Sequence, residues 1–199
     1  MSPSSDTTPR LRLSRADRTR QLLDVAWRLI GEEGTDALTL GRLAEAAGVS
    51  KPVVYDHFGT RNGLLAALYQ DYDKRQTDLF DSALATSRPT AQDKAEVIAS
   101  SYVDCVLTQG REIQAVLATL SGSPELAAIK RDYQKAFIDK CAATLAPFGG
   151  AQGLSAAGLW AMLGAAESLS EAAARGDLTK QQAQSELKRL ILAMVDPGR

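Results

Sequence analysis

The sequence is poor in the residues that hold metals and cross-links. Its 199 residues include one histidine, His57, and two cysteines, Cys105 and Cys141. Cysteines so far apart form neither a zinc ligand set nor a short-spaced redox pair, so both read as buried, reduced thiols with no metal or other cofactor. No nucleophile–base pair or phosphate-binding loop is recognisable, which argues against catalysis. Aromatics are scarce, at 6%, and alanine is abundant, a composition that suits closely packed helices. A formal net charge of −1 excludes a global basic field that would announce a polyanion partner. No apolar run approaches the roughly 20 residues needed to cross a bilayer. The opening "MSPSSDTTPRLRL" has no apolar core of signal-peptide type. The expectation is a cytoplasmic chain with no membrane partner.

What is present is helical period and sharp punctuation. The Ser/Thr/Pro-rich start, residues 1–14, reads as a disordered arm. It leads into "PRLRLSRADRTR", where Arg10, Arg12, Arg15, Arg18 and Arg20 face one Asp17. A local basic arm of this kind binds phosphate even on a near-neutral chain. Leu22, Val25, Ala26, Leu29 and Ile30 then recur at three- and four-residue steps, one apolar stripe closed by Gly34. Thr39 caps a second helix that Gly48 ends, and Ser50 caps a third over Lys51–Phe58. Pro52 falls in the first turn of that helix, where no intrahelical amide is lost, so it marks a start and not a break. Thr60 caps a fourth helix running from Arg61 towards Leu84. Further helices are predicted over Ala91–Gln109, Arg111–Leu120, Pro124–Ala146, Leu154–Arg175 and Thr179–Val195. No strand-like alternation survives beside these periods. The fold class is all-α, with about nine helices.

The short third helix carries the functional signal. At about 100° per residue, Val54 and Phe58 share one side and Pro52, Val53 and Asp56 the other. Two helices joined by a glycine-containing turn, the second exposing small and polar groups, form a helix-turn-helix whose second helix enters the major groove. Pro52 and Val53 suit thymine methyls, and Asp56 could accept from a cytosine amino group. Lys51, Tyr55 and His57 are candidates for phosphate contacts along the groove edges. Thr60 and Arg61, like Thr39 and Arg42 before them, sit at a helix start that favours a phosphate.

The stretch "TLGRLAEAAGVSKPVVYDHFGTRNGLLAAL" closely resembles the DNA-binding region of the TetR family of transcriptional regulators. The resemblance covers about residues 15–70. It rests on Thr39, Leu43, Ala44, Ala47, Gly48, Val49, Ser50, Tyr55, His57, Phe58, Thr60 and Arg61. Arg61 stands where lysine is commoner in the family, and Pro52 where glycine is frequent. The resemblance implies a homodimeric repressor, or less often an activator, bound to double-stranded operator DNA and released by a small-molecule effector. It would act in the bacterial cytoplasm, on the nucleoid when bound to DNA. The implied organisation is a helix-turn-helix domain over 15–60 and a helical effector-binding and dimerisation domain over 61–196, with 61–84 as the connecting helix. Two other readings stay open: a DNA-binding regulator controlled by a protein partner, and an enzyme built on a helical bundle.

The C-terminal part is read from periodicity alone. Along "LSAAGLWAMLGAAESLSEAAARG", the residues Ala157, Ala161, Gly164, Ala165, Ser168 and Ala172 form a stripe of small side chains. The last helix offers Leu187, Leu190, Ile191, Met194 and Val195 as a bulky partner face. Ala157 to Ala172 together with Leu187, Ile191 and Met194 are therefore the candidate dimer seam, a four-helix arrangement of two such pairs; packing inside one subunit is the alternative. Trp160, Leu163 and Glu167 share the other face. With Tyr102, Cys105, Val106 and Gln109 on one neighbouring helix and Phe137 and Cys141 on another, they make a candidate effector pocket. In it Glu167 would orient a ligand through a donor or a positive charge.

Overall fold

The computed structural model describes residues 13–108, 111–121, 124–150 and 153–195. Residues 1–12 of the expected N-terminal arm, Arg10 and Arg12 among them, lie outside that set. The described elements are α1 (Arg15–Glu33), α2 (Leu40–Ala47), α3 (Lys51–Phe58), α4 (Arg61–Thr86), α5 (Ala91–Thr108), α6 (Arg111–Ser121), α7 (Pro124–Leu145), α8 (Ala156–Arg175) and α9 (Lys180–Val195), with one 3₁₀ turn over Ala146–Phe148. Among the described residues there is no strand. The chain divides into two compact units, Met1–Leu68 and Tyr69–Arg199. The border lies within α4, at 68/69, where the sequence reading set it at 60/61.

Caps decide where the N-terminal helices start and stop. The Ser14 hydroxyl accepts the Asp17 amide at 3.1 Å and donates to its carboxylate at 2.6 Å, opening α1. The Thr39 hydroxyl accepts the Arg42 amide at 3.0 Å and opens α2. Gly48 ends α2 in the left-handed region, at φ 64° and ψ 34°, which costs a residue without Cβ nothing. Ser50 stands at the start of α3 as expected, yet its hydroxyl makes no capping bond. The reason is Pro52: it offers no N–H, and the next amide, Val53, is already taken by the Ser50 carbonyl at 3.0 Å. The stripe of α1 packs with α2 and α3 around fully buried Leu22, Ala26, Leu43 and Val54.

The entry into α4 is the tightest place in this unit. The Thr60 hydroxyl accepts the Gly63 amide at 3.0 Å. A Cβ on Gly63 would stand 2.1 Å from the Phe58 carbonyl oxygen, a separation no real carbon–oxygen contact tolerates. The sequence reading passed over this glycine because its neighbours carry the recognisable motif.

In the second unit α5, α8 and α9 pack against one another, and α7 packs on α5 and α8. Their core joins Ile98, Val103, Leu145, Leu163, Leu187 and Ile191. Two helix starts shift from the sequence expectation. Ser155 caps α8 by accepting the Gly158 amide at 3.0 Å, which leaves Leu154 outside the helix. Thr179 and Gln182 cap α9 reciprocally: Oγ1 accepts the Gln182 amide at 3.2 Å and Oε1 accepts the Thr179 amide at 2.8 Å. The helix therefore begins one residue later, at Lys180.

The proposed seam is corrected by the same packing. Leu187 and Ile191 are fully buried within the single chain, so neither has a face left for a partner. Met194 and Ala165 are half-buried against the core, and Ala172 is half-buried. The last helix spends its bulky face inside its own subunit because α5 and α8 close over it. Ala157, Ala161, Gly164 and Ser168 remain exposed, with Trp160 beside them at 47% exposure.

Gly63→Ala is expected to cost about 1–3 kcal/mol by forcing the α3–α4 junction apart. Urea unfolding of the two proteins measures it, and equal midpoints would show that the junction yields freely.

Candidate nucleic-acid interface and ligand cavity

On α3 the structure separates the residues that face inward from those that face out. Val54 and Phe58 are buried. Lys51, Pro52, Tyr55 and Asp56 are exposed and Val53 and His57 half-buried; Tyr55 shows 53% of its surface. A short helix with its apolar side anchored and its tyrosine and lysine standing clear is a surface built to touch something. Thr39 and Thr60, exposed at the starts of α2 and α4, flank it, although both hydroxyls already cap their own helices.

Three of the candidate DNA contacts have other employment. Arg61 donates from Nε to the Leu38 carbonyl at 2.9 Å and from an Nη to the Thr35 carbonyl at 2.7 Å. It is a clamp on the α1–α2 connection, not a free phosphate ligand. The sequence could not show this, because its carbonyl partners lie 23 and 26 residues back in the chain. Arg42 grips Glu33 through two bonds, Nε at 3.1 Å and Nη2 at 2.5 Å, and reaches Glu45 at 3.4 Å. The hydrogen bond from Arg42 holds the Glu33 carboxyl below the usual carboxylate range. Asp56 accepts from Arg15 Nη1 at 2.7 Å, while Arg15 Nη2 donates to the Asp56 carbonyl at 3.0 Å. The carboxylate set aside for a cytosine is thus engaged by an arginine of α1. Both side chains are about two-thirds exposed, so the pair is weak and open to exchange.

His57 is also tied to α1. Its Nδ1 lies 2.8 Å from the Thr19 hydroxyl. That hydroxyl donates its single hydrogen to the Arg15 carbonyl at 2.9 Å, so it accepts from Nδ1–H, and the free ring nitrogen is Nε2. Burial, then the field of Arg15, hold the imidazole below its ordinary value, with Arg18 adding to them and Asp56 opposing. In the neutral ring Nε2 is an acceptor, so a phosphate contact there requires the imidazolium.

The second unit contains a cavity of about 810 Å³. Of the candidate pocket residues, Tyr102, Cys105, Val106, Phe137, Leu163 and Glu167 line it. Three do not. Cys141 is fully buried in the core, its thiol pushed up to about 12 by that burial. Trp160 is exposed on α8 and absent from the lining, because the wheel that groups it with Glu167 says nothing about which neighbour covers which turn. Gln109 lies outside the described residues.

The lining also contains what the sequence reading missed. Tyr69, Tyr72, Asp73 and Phe80 come from α4, read from sequence only as a connector, and Tyr133 from α7. Tyr69 and Tyr133 meet edge to face, with centroids 4.9 Å apart and planes at 85°. Phe137 bridges Tyr102 and Phe80 at 5.4 and 5.6 Å. Tyr72 shares a hydrogen with Cys105 Sγ at 2.8 Å. The Glu167 carboxylate accepts from Gln134 at 2.8 Å. Burial first, then the negative field of Glu167, raises the Tyr102 hydroxyl. The repeated Tyr and Asp along α4, with Phe80, are the signal that would have revealed this wall.

Residues 22–68 match the family model for bacterial regulatory proteins of the tetR family. Within the first unit, residues 22–68 form a tetR-family domain. The HTH-type transcriptional regulator BetI of Cronobacter sakazakii is 35% identical over 79 residues, 40% of this chain and 38% of that protein. The match thus spans well under two thirds of that relative's length. Two solved structures share the fold through both units. A putative TetR-family transcriptional regulator from Rhodococcus sp. has a TM-score of 0.68 at 20% identity, over 90% of this chain and 99% of that one. A putative transcriptional regulator from Saccharomonospora viridis, in complex with choline, has a TM-score of 0.68 at 18% identity, over 89% and 97%. The fold shared with these structures is all-helical, an N-terminal helix-turn-helix followed by a helical unit. Among the described residues no helix is long and apolar enough to cross a membrane.

Arg61→Ala is expected to lower stability by about 2 kcal/mol, because two buried-side carbonyls lose a charged donor. Lys51→Ala should leave stability within about 0.5 kcal/mol. Denaturant titration compares them, and an unaffected Arg61→Ala would return that side chain to the pool of free surface cations.

Proposed function

We propose that the chain is a sequence-specific DNA-binding transcriptional regulator, a homodimeric repressor that leaves its operator when a small molecule fills the cavity of the second unit. The observation that carries this reading is the exposed face of α3, with Lys51, Pro52 and Tyr55 standing clear on a tetR-family domain. Lys51 and Tyr55 supply phosphate contacts that fix the register of the helix. Pro52 and Val53 meet the base edges. The Arg15–Asp56 pair opens when a phosphate competes for Arg15, which frees the Asp56 carboxylate to accept from a base.

Dimerisation is assigned to the exposed face of α8, where Ala157, Ala161, Gly164 and Ser168 let another backbone approach and Trp160 adds apolar area. Two-fold symmetry then demands a palindromic operator with half-sites on one face of the duplex. A putative regulator of this fold is in complex with choline in the Saccharomonospora viridis structure, which supports a small-molecule ligand here. The link between cavity and DNA is α4, which opens in the first unit and whose later residues Tyr69 to Phe80 line the cavity. A ligand that binds one position of α4 better than the other shifts the population of DNA-competent dimers.

Tyr55→Phe and Lys51→Ala should each weaken binding to a palindromic duplex about tenfold, the equivalent of about 1.4 kcal/mol, and uniformly across sequences. Electrophoretic retardation against a panel of duplexes at several salt concentrations reads both the loss and the slope. Unchanged affinity in the double variant for all duplexes would sink the assignment of α3 as the reading helix.

Ala161→Arg should break the dimer, since an uncompensated charge in a buried seam costs about 3 kcal/mol, roughly a hundredfold in dissociation constant. The site is exposed in the single chain, so the monomer should remain folded. Sedimentation velocity beside circular dichroism decides it, and a dimer of unchanged strength would move the seam elsewhere.

A further inference from the structure

The chemistry of the cavity wall narrows the ligand. This inference rests on the reading of the cavity as the effector site. We propose that the effector is an amphiphilic organic cation, with its charged head between Asp73 and the Tyr69–Tyr133 pair and its apolar body along Phe80, Phe137 and Tyr102.

Charge argues first. The described lining holds four carboxylates, Asp73, Asp104, Glu167 and Glu171, against two ammonium groups, Lys130 and Lys140. Most of these are committed. Asp104 is held by Lys180 at 2.8 Å and accepts from Gln184 at 2.7 Å. Glu171 pairs with Arg175 at 2.8 Å, and Lys140 pairs with Asp81 at 2.6 Å. Asp73 has neither an ion pair nor a hydrogen bond among the described residues. It is half-buried, and burial pushes its carboxyl above the usual range against the pull of Lys140. A half-buried carboxylate is costly without a counter-charge, and a ligand cation would supply one. Lys130 on α7 is the remaining ammonium there without an ion pair among the described residues. Its single charge is outweighed by Asp73 and Glu167 together.

The rings argue second. Asp73 lies close enough to Tyr69 and Tyr133 to raise both hydroxyls through its field, after burial in each case. A cation seated at the carboxylate therefore also meets aromatic faces and edges, and ring faces attract cations. The same enclosure repels a carboxylate ligand, which would face Asp73, Glu167 and two electron-rich rings at once.

Size argues third. A volume of about 810 Å³ is at the upper end of the range for drug-sized ligands. A bare tetraalkylammonium of choline's size would leave most of it to water. The apolar run of Phe80, Phe137 and Tyr102, with ring centroids at 5.4 and 5.6 Å, is the surface that a hydrocarbon or aromatic body would cover. The head and body subsites lie on α4, α5 and α7, so filling both bears on the helix that runs on from the DNA-reading unit.

The test is a calorimetric titration of the full chain with chain-matched probes: decyltrimethylammonium, decanoate and decanol, with choline as the head group alone. Decyltrimethylammonium should bind at least about tenfold more tightly than each of the other three. Asp73→Asn, which keeps the shape, should weaken the cation about tenfold and leave decanol unchanged. Tyr133→Leu, on a half-buried ring, should weaken it as well and serves as the second variant if Asp73→Asn is unstable. Equal or tighter binding of decanoate, or Asp73→Asn and Tyr133→Leu that both retain full affinity for the cation, overturns the inference. Tight cation binding that depends on Asp73 but leaves operator DNA bound keeps the cation assignment of the cavity and defeats the reading of that cation as an effector. If no probe binds, the cation assignment is overturned, while the effector reading stands until ligands of other chemistry have been tried.

Discussion

The geometry of the first unit hangs on one guanidinium. The α1–α2 connection exposes carbonyls that no helix satisfies, and Arg61 collects two of them, Thr35 and Leu38, from the first turn of α4. A charged donor to a partly buried carbonyl is worth more than a neutral one. The bond set ties the start of α4 to the loop that launches α2. Gly63 completes the junction: only a residue without Cβ allows α4 to rise so close to the Phe58 carbonyl. With α2 and α4 both fixed, α3 between them has its ends determined. Its Val54 and Phe58 then fall into the core, and Lys51 and Tyr55 are left outside.

The same unit manages its charges internally before any partner arrives. Arg42 is spent on Glu33 and Glu45, Arg15 on Asp56, and His57 on Thr19. These are exposed or half-exposed contacts of small net worth. Their effect is positional: they hold long side chains in place at low cost and give way to a stronger anion. A surface of this kind leaves Lys51 and Tyr55 exposed while the other charged groups are engaged.

In the second unit the decisive element is α4 again. From Tyr69 onward it contributes rings and a carboxylate to a cavity whose other walls come from α5, α7 and α8. The core of α5, α8 and α9 is dense and apolar, with Leu187 and Ile191 fully enclosed. The cavity lies where aromatic and acidic side chains replace that aliphatic packing. The wall is built of groups that cannot all satisfy one another. Asp73 is the clearest case, since burial raises its carboxyl and no described neighbour bonds it.

The sequence by itself determined the elements. Thr39, Gly48, Pro52 and Thr60 act within four residues of the amides and turns they control, so helix starts and stops were legible to within a residue or two. The inward faces of α1, α2 and α3 were legible for the same reason: a 3.6-residue period fixes which side chains share a side. Tertiary structure alone decided what each outward residue meets. Arg61 looks like a phosphate ligand until carbonyls 23 and 26 residues away are folded onto it. Leu187 and Ile191 form a bulky stripe whether the face opposite belongs to another subunit or to α5 and α8. Trp160 and Glu167 lie on one side of a helical wheel, yet only Glu167 reaches the cavity. Periodicity is a one-dimensional constraint set by local backbone geometry. The partner across each face is set by which distant elements exclude water together, and no local spacing records that choice.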